Sequence, residues 1–276
     1  MPRGWRLLLH GAAAGPWNMG VDEALLTSVI AGGPPTLRFY TWDGPWLSLG
    51  YAQRTGPGRL AACTEAGVGV VRRATGGRAV LHGGDLTYAL AAPTALLPDG
   101  LHASYRLVAE ALLAALRSLG VEAERSGLEA PVPDRDAFDC FERAAPEELC
   151  AAGRKLAGSA QRRTGAAVLQ HGSLRIVPDP PGARRAARVN RGAATSLREL
   201  GIDASVEAVR ERCIQAFTEA LGARFLRGCL GSSERRWAAL RGALSHGGPL
   251  LRPWKRGGGD PAGNLKGPTR RPIGMC

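Results

Sequence analysis

Arg72-Arg73-Ala74-Thr75-Gly76-Gly77-Arg78-Ala79-Val80-Leu81-His82 is the stretch on which the reading of this chain turns. An apolar, strand-forming run at 68–71 leads into it and another at 79–81 leads out. Between them stand two arginines, a threonine, a glycine pair and a third arginine. A glycine pair admits φ > 0 and lets a ligand come close to the backbone. Polar groups facing such a turn suit a bound chain with a thioester or carboxyl head. On the glycine pair alone, an ordinary hairpin turn with solvated arginines is the simpler reading.

The rest of the string changes the balance. Read as R-R-x-T-G-G, then a short apolar run and His82, and continued by Gly83-Gly84-Asp85-Leu86-Thr87-Tyr88, it resembles the lipoate/octanoate transferase and ligase superfamily. ATP-using ligases of that superfamily usually carry a third glycine and a D-x-G-N-L segment after the histidine. Here Arg78 holds the third position and Asp85-Leu86-Thr87-Tyr88 follows, which is similar to the octanoyltransferase branch of the LipM type. The resemblance implies the biotin/lipoyl protein ligase (BPL/LPL) fold: an α+β (α/β) architecture, with a large mixed, mostly antiparallel β-sheet flanked by helices.

Composition sets the outer limits. The chain has 276 residues, 45% of them hydrophobic, enough for a sizeable buried core. We expect a catalytic domain over 1–246 and a basic, Gly/Pro-rich, poorly ordered tail over 247–276. No run approaches the ~18 apolar residues of a spanning helix. The opening Met1-Pro2-Arg3-Gly4-Trp5 lacks the apolar core of a signal peptide. A cytoplasmic chain without a membrane partner is the expectation. Six cysteines occur, at 63, 140, 150, 213, 229 and 276. No C-x-x-C or zinc-finger histidine spacing accompanies them, so no metal is expected and free thiols are favoured over disulfides.

Net charge is +12. A basic chain can bind nucleic acid or be steered toward acidic proteins. No RRM, helix-turn-helix or KH pattern appears, and aromatics are only 5%, so no nucleic acid partner is expected. Of 36 basic residues only Lys155, Lys255 and Lys266 are lysines, leaving 33 arginines. Lys155 directly follows Arg154. A position that needs a compact amine rather than a planar fork would resist such a bias.

In chain order, periodicity predicts a strand at 7–9 and a helix at 18–30 capped by Asn18. A strand at 37–42 should pair with one at 46–51 across the Gly44-Pro45 turn. A short helix at 58–66, a strand at 86–91 and a helix at 104–119 capped by Ser104 follow. Residues 126–139 read as a loop, and 154–161 and 166–176 as strands. Arg184, Arg185, Arg188, Arg191 and Arg198 read as a basic, helix-breaking link. A helix at 205–221, ended by Gly222, and another at 232–244 complete the list.

A second motif lies at Cys140-Phe141-Glu142, Glu148-Leu149, Gly153-Arg154-Lys155-Leu156-Ala157-Gly158-Ser159-Ala160-Gln161 and Leu169-Gln170-His171-Gly172-Ser173. The octanoyltransferase branch shows C-F-D/E, a spacer, G-R-K-x-A-G-S-A-Q and L-Q-H-G-S, with its thiol fifteen residues before the motif lysine. Here 155 − 140 = 15. Cys150, only five residues away, is the rival; Cys63 and Cys213 read as small buried apolar residues. A thiol attacks acyl groups as thiolate, and a neighbouring ammonium favours that form. Cys140 and Lys155 are therefore the expected catalytic pair, with Lys155 lowering the thiol pKa.

The resemblance adds the remaining expectations. An octanoyl group would pass from octanoyl-acyl carrier protein to Cys140 as a thioester. It would then pass to the lysine of a lipoyl domain, as in the 2-oxoacid dehydrogenase E2 or the glycine cleavage H protein. That sequence runs downhill and needs no ATP, so no cofactor is expected. Arg73, Gly76, Gly77, Arg78, His82, Gly158, Ser159 and Ala160 are the expected substrate-binding residues, and His171 is read as scaffold. The competing activities are ATP-dependent lipoate ligation and amidotransfer between lipoyl domains; a non-enzymatic carrier- or nucleic-acid-binding protein is the remaining alternative.

Overall fold

The computed structural model describes residues 4–127, 138–142, 146–189 and 192–245. The tail expected to be poorly ordered, and most of the loop at 126–139, lie outside the described residues. In chain order the strands are β1 (Gly4–Ala13), β2 (Thr36–Trp42), β3 (Trp46–Leu49), β4 (Gly69–Arg72), β5 (Val80–His82), β6 (Asp85–Pro93), β7 (Ala123–Arg125), β8 (Leu149–Ala151), β9 (Arg154–Arg163), β10 (Ala167–Arg175) and β11 (Arg224–Arg227). The helices are α1 (Gly15–Ile30), α2 (Pro57–Glu65), α3 (Leu101–Ser118), α4 (Pro181–Ala187), α5 (Val206–Leu221) and α6 (Ser232–Ser245).

Eight strands form the main sheet in the order β11-β1-β2-β6-β10-β9-β8-β7. β1 runs parallel to both β11 and β2, and the other neighbours are antiparallel. This is the large mixed, mostly antiparallel sheet expected. Its centre is covered on both sides, so β10 is buried along its whole length. The two-residue strand period divides the cover. Leu37 and Phe39 of β2 pack with α3 and α5 through Leu112, Leu116, Val209 and Phe217. Tyr40 and Trp42 face the opposite layer, where α1 contributes Met19, Leu25 and Val29. Among the described residues, no helix is long and apolar enough to cross a membrane.

The second sheet departs from expectation. β3 does not pair with β2; it is the middle strand of a separate sheet, β4-β3-β5. β4 lies parallel to β3, and β5 antiparallel on the other side. The central stretch is therefore not a two-strand hairpin. Its residues 73–79 cross the C-terminal end of β3. Gly50 sits directly beneath: a Cβ there would lie 1.8 Å from the Gly77 carbonyl oxygen. Gly77 itself has φ +85°, a conformation open to glycine at little cost.

Two expected helix caps are also corrected. α1 begins at Gly15, with Ala14 at the cap and Pro16 in the first turn. Asn18 is a buried residue whose side chain donates to the Ala13 and Thr41 carbonyls. α3 begins at Leu101 after Gly100, whose φ is 86°. Ser104 instead donates back to the Gly100 and Leu101 carbonyls, a common option for a serine inside a helix. Arg184 and Arg185 lie within α4 rather than in a helix-free link. Ser205 and Gly222 act as expected: Ser205 accepts from the Ala208 N–H, and Gly222 is left-handed.

Candidate active site

The two motifs meet where the central loop returns to its small sheet. Ala79 N–H donates to the Phe138 carbonyl at 3.1 Å, and Cys140 N–H donates to the Ala79 carbonyl at 2.8 Å. This clamps the turn Cys140–Glu142 to the end of the Arg72–Arg78 loop. The Asp139 carboxylate caps the turn by accepting from Phe141 N–H at 3.1 Å. Cys140 is partly accessible, while Phe141 is fully buried.

Lys155 reaches Cys140 from β9. It is 1% exposed, which costs an ammonium its hydration unless partners replace it. Nζ donates to Glu148 Oε2 at 2.5 Å, to the Cys140 carbonyl at 2.7 Å and to Cys140 Sγ at 3.4 Å. Burial works against the ammonium, but Cys140 and Glu148 outweigh it and hold the Lys155 pKa above its ordinary value. The thiol differs from expectation. Burial pushes the Cys140 pKa up, the Lys155 ammonium pulls it down, and the Glu148 carboxylate pushes it up again, so it stays above its ordinary value. The Glu148 carboxylate adds to the burial penalty that the lysine works against.

Gly158 makes room for this group. A Cβ there would lie 3.0 Å from Lys155 Cε and 3.2 Å from Glu148 Oε1. Next to it opens a pocket whose free space, counting its mouth, is about 440 Å³. Cys140, Arg73, Gly77, His82, Gly158, Ser159 and Ala160 all line it. Gly76 and Arg78 do not. Their carbonyls instead accept from Arg73 Nη2 at 2.8 and 2.6 Å, while Nη1 donates to the Ser48 carbonyl at 3.0 Å. The buried Arg73 guanidinium thus holds the loop in shape, a role the sequence did not reveal.

Two further side-chain chains brace the walls. Asp85 Oδ2 accepts from His82 Nδ1 at 2.8 Å, Thr87 Oγ1 at 2.9 Å and Ser173 Oγ at 2.7 Å. Burial opposes its charge, but His82 and the other donors lower its pKa to about 2. His82 also stacks on Trp42 with centroids 4.0 Å apart. In the second chain, Asp22 pairs with Arg38 at 2.7 Å and with His171 Nδ1 at 2.9 Å. His171 Nε2 meets Thr75 Oγ1 of the central loop at 2.6 Å. Burial lowers the His171 pKa despite Asp22, so the neutral ring accepts from Thr75. His171, read from sequence as scaffold, both braces the loop and lines the pocket.

Sequence reasoning missed Glu148, Met19, Tyr40 and Trp42. The only signal for Glu148 was a carboxylate inside the second motif, seven residues before Lys155. Of the other thiols, Cys63 and Cys213 are buried, and burial lifts the Cys213 pKa to about 12. Cys150 lies opposite Lys155 in the β8–β9 register, but is not among the pocket-lining residues.

A pocket lined by the Cys140 thiol, with the buried Lys155–Glu148 ion pair beside that thiol, lies on a BPL/LPL-type sheet. Residues 15–218 match the family described as lipoyl protein ligase A/B catalytic domain. The octanoyltransferase LipM of Kyrpidia tusciae is 40% identical over 259 residues, covering 85% of this chain and 93% of the relative. That of Symbiobacterium thermophilum is 38% identical, covering 86% and 94%. Among solved structures, a lipoate-protein ligase A bound with ATP is similar with a TM-score of 0.75 and 25% identity, covering 87% and 94%. A putative lipoate protein ligase from Thermoplasma acidophilum with bound lipoic acid has a TM-score of 0.71, at 24% identity over 85% and 93%. The chain belongs to the lipoyl protein ligase A/B catalytic domain family, and within it to the LipM-type octanoyltransferases.

Proposed function

We propose that this octanoyltransferase works in lipoate biosynthesis through a thioester on Cys140, with octanoyl-acyl carrier protein as donor. The acceptor is the lysine of a lipoyl domain or of a glycine cleavage H protein, and the setting is the cytoplasm. One observation carries the reading: Cys140 Sγ stands 3.4 Å from Lys155 Nζ at the wall of the pocket. The acyl tail lies against Met19, Tyr40, Trp42 and Val80, all of which line that pocket. The Cys140 thiolate attacks the donor carbonyl and expels the carrier's thiol. The acceptor amine then attacks the Cys140 thioester, leaving an octanoyl amide and restoring the thiol. Lys155, fixed by three acceptors, holds positive charge beside the sulfur throughout.

ATP-dependent ligation is the second reading. Arg78 in place of a third glycine, and a thiol a ligase does not need, speak for transfer. Incubation with octanoyl-acyl carrier protein without ATP, followed by intact mass, tests this. The expected product is enzyme plus one octanoyl group, removed by hydroxylamine and absent from Cys140→Ser. Acylation of the acceptor only with ATP, and no enzyme adduct, would sink the proposal.

A further inference from the structure

Resting on the transfer reading, we propose that Glu148 is a catalytic residue: it takes the proton from the Cys140 thiol and returns it to the departing carrier thiol. The geometry assigns this role through direct contact. Lys155 is an ammonium whose three N–H groups point to Glu148 Oε2, the Cys140 carbonyl and Cys140 Sγ. An ammonium has no lone pair to accept a proton. Cys140 Sγ in turn donates to Glu148 Oε1 at 3.7 Å, within reach for a sulfur donor. One carboxylate thus touches both the thiol and the ammonium, one oxygen to each.

Charge conservation favours the same transfer. Among the described residues, the charged groups acting on the thiol are Lys155 and Arg73, both positive, and Glu148 and Asp139, both negative. Tyr105 of α3 and the Cys150 thiol of β8 are both held protonated, with pKa values pushed up first by burial. With the thiol protonated the group is neutral. Loss of the proton to water would leave a net buried negative charge, which is costly. Transfer to Glu148 keeps the sum at zero and moves the negative charge from oxygen to sulfur, beside the ammonium.

The steps balance. The S–H bond of Cys140 breaks as the Glu148 O–H bond forms. The thiolate adds to the donor carbonyl, the C–S bond to the carrier breaks, and the carrier sulfur takes the proton from Glu148. In the second half, the acceptor amine adds to the Cys140 thioester. Its surplus proton passes to Glu148 as the C–S bond to Cys140 breaks, and from there to the Cys140 sulfur.

The test uses two donors that differ only in the leaving thiol. The carrier's alkyl thiol needs a proton to leave well; an aryl thiol leaves as its thiolate. Single-turnover acylation of the full chain is followed by quenched intact mass, for wild type and Glu148→Gln. The variant should acylate about 10²–10⁴-fold more slowly from octanoyl-acyl carrier protein, the usual weight of general acid–base catalysis. From the octanoyl aryl thioester the loss should be under tenfold. Alkylation of its thiol by iodoacetamide should shift to lower pH, because Lys155 has lost its counter-ion. Equal losses with both donors, or no loss, would overturn the role. If Glu148→Gln does not fold, Glu148→Asp is read the same way: a larger loss with the carrier donor supports the proposal, and equal losses overturn it. A wild type acylated by neither donor would sink the transfer reading itself.

Discussion

Cys140 and Cys150 both approach Lys155, yet only Cys140 lines the pocket. Cys140→Ser should abolish transfer while circular dichroism and melting stay near wild type; Cys150→Ser should keep most activity. A dead Cys150→Ser with a live Cys140→Ser would reverse the assignment. Lys155→Ala removes the ammonium 3.4 Å from the sulfur and takes from Glu148 its Lys155 partner. The thiol pKa should then climb further, and alkylation by iodoacetamide should move to higher pH. Removing one partner of a buried ion pair also costs about 3–5 kcal/mol, visible as a lower urea midpoint. Superimposable alkylation curves would leave the lysine a positioning role alone. The family resemblance made this pair legible, since its motif supplies both residues and their fifteen-residue spacing. The net direction of the thiol pKa was not legible. It depends first on the burial of Cys140 and then on Lys155 and Glu148, and sequence spacing states neither burial nor distance.

At the level of elements, the central loop separates two arginines that look alike in sequence. Arg73 is buried and donates to the Ser48, Gly76 and Arg78 carbonyls; Arg78 is half-exposed. Lysine cannot reproduce a guanidinium fork. A buried acceptor left unsatisfied costs about 1–3 kcal/mol. Arg73→Lys should therefore lower stability by roughly 2–4 kcal/mol and cripple transfer, while Arg78→Lys should stay within about 0.5 kcal/mol of wild type. Urea unfolding of the two variants checks this, and equal midpoints would mean the Arg73 fork does not hold the loop. Periodicity found most helices, because α3 and α5 each bury one regular face, while a central strand such as β10 is buried throughout and has no exposed face to alternate with. It failed at Asn18 and Ser104. Both are good cap residues, but the first is drawn into the Arg38–Asp22 network and the second folds back on its own helix. It failed also at β3, whose partner was chosen by sequence proximity, whereas the crossing loop sends β4 and β5 to its two sides.

Across the whole molecule, charge is read in two ways. Asp85 has a pKa of about 2 in the folded chain against an ordinary 3.8. A lowered carboxylate pKa stabilises above the unfolded value, so its contribution is complete above roughly pH 4. It should fade between there and pH 2, by an amount of about 2 kcal/mol. Burial and the Arg38 guanidinium lower the His10 pKa from 6.5 to about 4. The unfolded chain therefore takes up that proton first, and stability should begin to fall as pH drops below about 6.5. Urea midpoints against pH should show both slopes, and Asp85→Asn should flatten the lower one. The second reading concerns partners. Net charge is +12. Residues 247–276 hold six basic residues and one acidic, 6 − 1 = +5, which leaves 12 − 5 = +7 on 1–246. Acidic carriers approaching such a surface gain mainly in association rate, and salt screens that gain over about 10 Å at 0.1 M. kcat/KM for octanoyl-acyl carrier protein should fall as salt rises from low to physiological, with kcat nearly unchanged. Deleting 247–276 should reduce the slope without removing it, because the +7 remains. A wild-type kcat/KM flat across that range would mean the positive charge does not steer the carrier, and the arginine excess would then reflect composition alone.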